Sequence, residues 1–407
     1  MRITTSYGPV TVSTRTTPSS FATASDTAAA IPTSVCTRMY ACTIDRPPNA
    51  RGKGVGGRKT MPGGPDRLTI AVERRLRSDL QTVNCPRLEA TVSETVAEVG
   101  EFRLIERFTR HFTTTDAVEL GPGDDAAVVT APDGRVVACT DMLVEGRHFR
   151  LDWCSAADVG HRAAAANIAD IAAMGAAPTA LLAAVSAPQD TPAAWIEEFA
   201  SGLAAEAAAA GAAVVGGDTT RGSQLTVTVT ALGDLEGRPP VTRSGARPGD
   251  VLALAGRTGW AAAGLHILSR GFRSPGALVG AYRRPHPPYA AGRDAALMGA
   301  RAMIDVSDGL LADVGHLAES SGVAVDIDTA VLDVPEAMAN AAEALGADSL
   351  TWLLSGGEDH ALAAAFPPGV ILPEGWRRIG TVAEGAGVTV DGQPWTGPTG
   401  WDHFQGQ

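Results

Sequence analysis

The chain has 407 residues, 45% of them hydrophobic and 19% charged, and a formal net charge of −12. The charge is uneven: residues 1–100 carry 13 Lys/Arg against 8 Asp/Glu, and the remainder carries 20 against 37. So acidic a body argues against nucleic-acid binding, which needs clustered bases, and the absence of a long apolar run argues against a membrane span. Both lysines, Lys53 and Lys59, lie near the N-terminus, which argues against a P-loop lysine, a protein-kinase strand lysine or a Schiff base further on. Five cysteines show no CxxC pair or metal-finger spacing, a pattern that suits a reducing, cytoplasmic compartment.

Residues 1–97 are dominated by Thr, Ser, Pro, Gly and Arg, as in TVSTRTTPSS and ARGKGVGGRKT. Such composition buries too little apolar surface to offset chain entropy. The expectation is disorder, or a start of translation placed too early; a transit peptide and a basic nucleic-acid arm are the other readings. From Glu101 strands and helices alternate. EFRLIERFTRHF reads as an amphipathic helix, and VELGPGDDAAVVT and RVVACTDMLV read as two strands joined by a hairpin at APDG. Ala156–Met174 and Pro192–Ala210 are Ala-rich helices closed by Gly175 and Gly211. Strands TALLAAVS, AAVVGGD and LTVTVTALG accompany them, and VLALAG opens a second αβ region. That region holds helices Trp260–Ser269, Ala290–Arg301 and Leu310–Ser320 and strands AMIDV and VAVDID. This order predicts a two-domain mixed α/β architecture, with domains 98–247 and 248–407.

The chemistry gathers on aspartates in glycine-framed turns. Asp124 and Asp125 in GPGDDA are adjacent carboxylates, a repulsion that a cation relieves; the plain alternative is an Asp turn. Thr140 and Asp141 end the strand VVACTD and supply a hydroxyl and a carboxylate side by side, a Mg²⁺ ligand pattern. His148 follows beyond a Gly146 turn, with functional and structural readings evenly balanced. Asp170 lies within an Ala-rich helix where Asp has poor propensity. It shares a face with Asn167 and Met174, which reads as an inward-pointing ligand. Gly216 and Gly217 let backbone N–H groups approach a phosphate, with Asp218 beside them. Arg243 is a candidate phosphate clamp, although alone it reads as a surface arginine. Asp305, Ser307 and Asp308 precede a helix, where Asp308 is an N-cap or part of an anion site. SGGED brings Glu358, and GWDHF brings Trp401, which either packs in the core or stacks on a flat ring.

In their order, GDDAAV, TDMLVEGRHF, NIADIAAMGA, GGDTTR, TRSGARPGD, IDVSDGL, SGGED and WDHF resemble thiamine-monophosphate kinase. The resemblance runs from about Gly100 to Phe404, and the wider superfamily includes aminoimidazole ribonucleotide synthase and selenophosphate synthase. It implies the aminoimidazole ribonucleotide synthase-like fold, a homodimer whose N-terminal sheets join, and ATP held by several Mg²⁺ ions. Carried over, the metal ligands are Asp125, Thr140, Asp141, Asp170, Asp218, Asp305 and Asp308, with Cys139 at a position that is often Ser. Gly217, Asp218, Arg243 and Ser307 would contact ATP, and His148, Glu358 and Trp401 would contact thiamine monophosphate. The implied reaction is the last step of thiamine diphosphate biosynthesis, with no catalytic side chain beyond positioning and metal. The rival readings are another ATP-dependent synthase of the superfamily and a non-catalytic nucleotide-binding module.

Overall fold

The computed structural model describes residues 94–122 and 126–401. Asp124, Asp125 and residues 1–93 and 402–407 lie outside them, so the expectations for Asp125 and for nearly all of the N-terminal segment fall there. Ordered structure is already present at Val96–Val99 (α1), where Thr95 and Glu98 cap each other reciprocally. Val96 and Ala97 donate backbone bonds to Thr191 and Gln189.

Two larger sheets organise the described residues. The first has four strands: β3 (Val137–Val144), β4 (Ala177–Ala187), β5 (Ala213–Arg221) and β6 (Thr226–Asp234), in the order β3-β6-β4-β5. Only β4 and β5 run parallel. The second has seven strands: β7 (Val251–Ala255), β8 (Ala302–Val306), β9 (Ala324–Ile327), β10 (Ala361–Phe366), β11 (Trp376–Ala383), β12 (Gly387–Val390) and β13 (Gln393–Pro394). Their order is β13-β12-β9-β11-β7-β10-β8. The chain passes from one sheet to the other between Asp234 and Val251.

The expected hairpin at APDG does not form. β1 (Val118–Leu120) pairs with β2 (Val128–Val129), whereas β3 pairs along its whole length with β6. Eight paired residues outweigh a local turn signal. Gly175 and Gly211 do close their helices at positive φ, 71° and 81°.

Helix α3 (Ala156–Ala173) is the spine of the fold. Ser155 and Asp158 form its capping box, and nearly all its residues are buried. It packs on the four-stranded sheet, on β8 and on α4 (Ala193–Ala209). α3 and α4 meet backbone to backbone: a Cβ on Gly160 would overlap the Phe199 carbonyl, and one on Gly202 the Ala157 carbonyl. That close contact carries α3 through the interior, so any polar side chain on it is presented to a buried site. Helix α2 (Glu101–Thr109) packs on α4, tied by Arg107 and Arg110 to Glu197. Around the second sheet lie α5 (Trp260–Ser269), α6 (Gly276–Arg283), α7 (Tyr289–Leu297), α8 (Leu310–Ser321), α9 (Glu336–Leu345) and α10 (Ser349–Ser355).

Candidate active site

Strand β3 does not end at Asp141 but continues to Val144, so Cys139, Thr140 and Asp141 are mid-strand. Successive strand residues face opposite sides of a sheet, and the expected trio is divided accordingly. The Cys139 thiol donates to the Asn167 carbonyl of α3 at 3.2 Å, and the Asp141 N–H donates to Asn167 Oδ1 at 3.1 Å. Thr140 Oγ1 lies on the other face, 3.0 Å from Thr230 Oγ1 and 3.0 Å from the Val229 carbonyl. Asp218 is likewise mid-strand, opposite Ala184.

On the α3 side of β3 the carboxylates crowd. Burial, then the charges of Asp305 and Asp141, push the Asp170 pKa up to about 7. Burial is also the main cause that raises Asp141. The Cys139 thiol is raised by burial and by Asp170 and Asp141, so it stays protonated beside them. His360, missed in the sequence, sits 3.3 Å from Asp305 through Nδ1. Burial opposes its charging, yet the hydrogen bond to Asp305 and the charges of Asp305, Glu358 and Asp170 carry it up to about 9. Carboxylates that suppress one another's ionisation are a fitting donor set for a divalent cation. Among the described residues, however, no three acidic, His or Cys side chains are drawn close enough to form a ready cage. The fit is one of charge and donor type.

Three chain segments are laced together next to this centre. Glu358 N–H donates to the Ser307 carbonyl at 2.8 Å, His360 N–H to Val306, and Trp401 N–H to Asp308 at 3.0 Å. A Cβ on Gly357 would overlap the Ser307 carbonyl, so the SGGED turn can lie on the VSDG turn only with glycine there. The start of α8 is not an open anion site. Asp313, one turn in, accepts from the N–H groups of both Asp308 and Gly309 at 3.0 Å. Asp308 is not the cap: the N-cap is Gly309, which makes no side-chain cap bond.

These contacts bring His148, Ser307, Asp308, Glu358 and Trp401 onto one cavity of about 790 Å³. Its wall also includes Arg147, Arg150, Arg162, Trp153, Tyr282 and Trp352. His148 Nδ1 accepts from the Val144 N–H at 3.0 Å, so its neutral ring carries the proton on Nε2. Trp401 is 44% exposed, which removes the core-packing reading. A second cavity, of about 750 Å³, runs along β5 past Gly216, Gly217, Asp218 and Thr219 towards α2 and α4. Arg243 lines neither cavity; it is exposed in the segment between the sheets, its carbonyl accepting from Ser321.

A family model described as AIR synthase related protein, N-terminal domain, matches residues 123–235. Thiamine-monophosphate kinase of Mycobacterium tuberculosis (strain H37Rv) is 51% identical over 317 residues, 77% of this chain and 95% of the relative. The chain belongs to the thiamine-monophosphate kinase family. Its fold agrees with that of the family's solved members. The enzyme from Stenotrophomonas maltophilia K279a superposes with a TM-score of 0.64 at 35% identity, over 72% of this chain and 97% of that one. AaThiL complexed with AMPPCP and TMP gives 0.62 at 31% identity, over 77% and 100%.

Proposed function

We propose that this chain is an ATP-dependent kinase that phosphorylates thiamine monophosphate to thiamine diphosphate, releasing ADP. Membership of the family and likeness to a structure solved with AMPPCP and TMP support the reading. The observation that carries it to particular residues is the lacing of the VSDG turn, the SGGED turn and residues 399–401 around one cavity beside the carboxylate centre.

The acceptor cavity takes thiamine monophosphate. Trp401 offers an exposed aromatic face to a cationic ring, Glu358 a carboxylate, and His148 a polar edge. ATP takes the cavity along β5, where Gly217 admits close backbone approach and Asp218 faces the phosphates; Ser307 stands where the two substrates meet. Arg243 contacts ATP only if its exposed segment moves, or from a second subunit. Asp141, Asp170, Asp218, Asp305 and Asp308 would hold Mg²⁺, with Asp125 and Thr140 as further oxygen donors; Cys139, a protonated thiol bonded to Asn167, is the weakest member of that set. When bound, Mg²⁺ would supply positive charge for phosphoryl transfer, which the β5 cavity wall, without a cationic side chain among the described residues, does not offer. The acceptor phosphate oxygen is already ionised at neutral pH and attacks the γ-phosphoryl in line, so no side chain need act as general base. The protein's contribution is to align two anionic groups and exclude water.

The proposed assembly is a homodimer whose N-terminal sheets join. No helix among the described residues is long and apolar enough to cross a membrane. The proposed setting is cytoplasmic, without nucleic-acid partners. Assaying ADP release with thiamine monophosphate, with thiamine and without acceptor tests the reading. ADP formation that depends on thiamine monophosphate supports it. ATP binding without ADP release for any acceptor would instead favour a nucleotide-binding module.

A further inference from the structure

Arg162 has no part in the reading above, yet its setting is unusual for a guanidinium. It leaves α3 into the interior and is 3% exposed. NH1 donates to the Tyr282 carbonyl at 2.7 Å, and NH2 donates to Glu358 Oε2 at 2.6 Å. The guanidinium carbon lies 4.5 Å from the centroid of the Tyr282 ring. Nε finds no hydrogen-bond partner. One buried cation therefore ties α3, α6 and the SGGED turn together, and all three contacts lie at the wall of the acceptor cavity.

Glu358 is the member of this group with most freedom to lose. Its backbone is fixed at φ 69°, its N–H is held by Ser307, and its side chain is 43% exposed. A half-exposed carboxylate on a cavity wall samples several rotamers unless something fixes it. A charge-assisted bond at 2.6 Å from a fully packed donor does that. A lysine at position 162 would bring charge without the planar fork that reaches Tyr282 and Glu358 at once.

We infer that Arg162 is a positioning residue for the acceptor: it aims the Glu358 carboxylate into the thiamine monophosphate cavity and so sets acceptor affinity without touching the transferred phosphoryl group. The inference rests on the acceptor site assigned above. A simple strut between α3 and α6 is the competing account, and it makes different kinetic demands.

The test is a double-mutant cycle in the full-length protein, with Arg162→Gln, Glu358→Gln and both together. First, wild type must turn over thiamine monophosphate; if it does not, the functional reading fails and the cycle is not needed to show it. Given turnover, Arg162→Gln should raise the acceptor KM about tenfold with the ATP KM unchanged, on the scale of one charge-assisted contact. Glu358→Gln should do the same, and the double variant should be no worse than either single one, because Arg162 acts through Glu358. Arg162→Lys should fall between wild type and Arg162→Gln. Losses that add, or that strike both KM values in parallel with a lower Tm, overturn the inference in favour of the strut. If Arg162→Gln does not fold, Arg162→Lys decides: a raised acceptor KM at constant ATP KM supports the inference, and an unchanged acceptor KM overturns it.

Discussion

Two cavities of nearly equal size, about 750 and 790 Å³, have walls that differ in kind. Along β5 the wall is mainly aliphatic and small, with leucine, valine, isoleucine, alanine, glycine, threonine and phenylalanine, and Asp218 is its one charged side chain among the described residues. The acceptor cavity instead has three arginines, two histidines, two acids and five aromatic rings. On the proposed assignment, a polyanionic nucleotide would meet a wall with no cationic side chain, so backbone N–H groups and metal would carry its recognition. The smaller zwitterionic acceptor would meet a wall of side chains, where specificity can be tuned residue by residue.

The largest effect should come from the carboxylates proposed to hold metal. Asp170→Asn and Asp218→Asn are expected to fold and to lose on the order of a hundredfold or more in kcat, the cost of several kcal/mol of metal-held transition-state charge. Steady-state kinetics with a parallel melting curve checks this; activity within about threefold of wild type would take these residues out of the metal set. Next comes a geometric test of the nucleotide cavity. A Cβ on Gly217 would overlap the Ala183 carbonyl. Gly217→Ala should therefore push β4 and β5 apart and raise the ATP KM on the order of tenfold, leaving the acceptor KM nearly unchanged. Trp401→Ala is its mirror image. The acceptor KM should rise about tenfold, the scale of a desolvated cation–π contact. The ATP KM and Tm should hold, since this exposed side chain leaves no cavity. If these two variants exchange their effects, the assignment of substrates to cavities is reversed.

Sequence reasoning reached these cavities unevenly, for physical reasons. Glycine closures and the amphipathic α2 were legible because they are local. The strand RVVACTDMLV was legible too, but treating Cys139, Thr140 and Asp141 as one ligand set overlooked the alternation of side chains along it, which the pairing with β6 fixes. ALAAAF is assigned no element from the sequence because its alanines favour no strand, and pairing on both sides makes it β10. The regions of α6, α9 and α10 likewise went unassigned. Arg162 and His360 were missed because their partners, Glu358 and Asp305, are 196 and 55 residues away. The one available signal for Arg162 was a guanidinium in the alanine run HRAAAANIAD. Asp313 was missed for a simpler reason, since an acid in the first turn of a helix is ordinary.

The smallest expected effect is on stability. The Asp170 pKa lies near 7, above that of an unfolded aspartate. The folded metal-free protein therefore retains a proton that the unfolded chain has released, and its stability falls as pH rises from about 4 through about 7. Tm measured in chelator across that range should decline, by a few degrees at the upper end. Asp170→Asn should flatten the decline, and added Mg²⁺ should oppose it in wild type. An Asp170→Asn profile parallel to wild type would show that Asp313 or Asp359, both also pushed up to about 7 chiefly by burial, dominates instead.

The central claim is direct transfer of the γ-phosphoryl group between the two cavities. Incubating the enzyme with ATP labelled in its γ-phosphate and with unlabelled thiamine monophosphate tests it most directly. The account predicts ADP and thiamine diphosphate in equal amounts, with all the transferred label in the terminal phosphate of thiamine diphosphate. Label released as inorganic phosphate while thiamine monophosphate remains unchanged would contradict it.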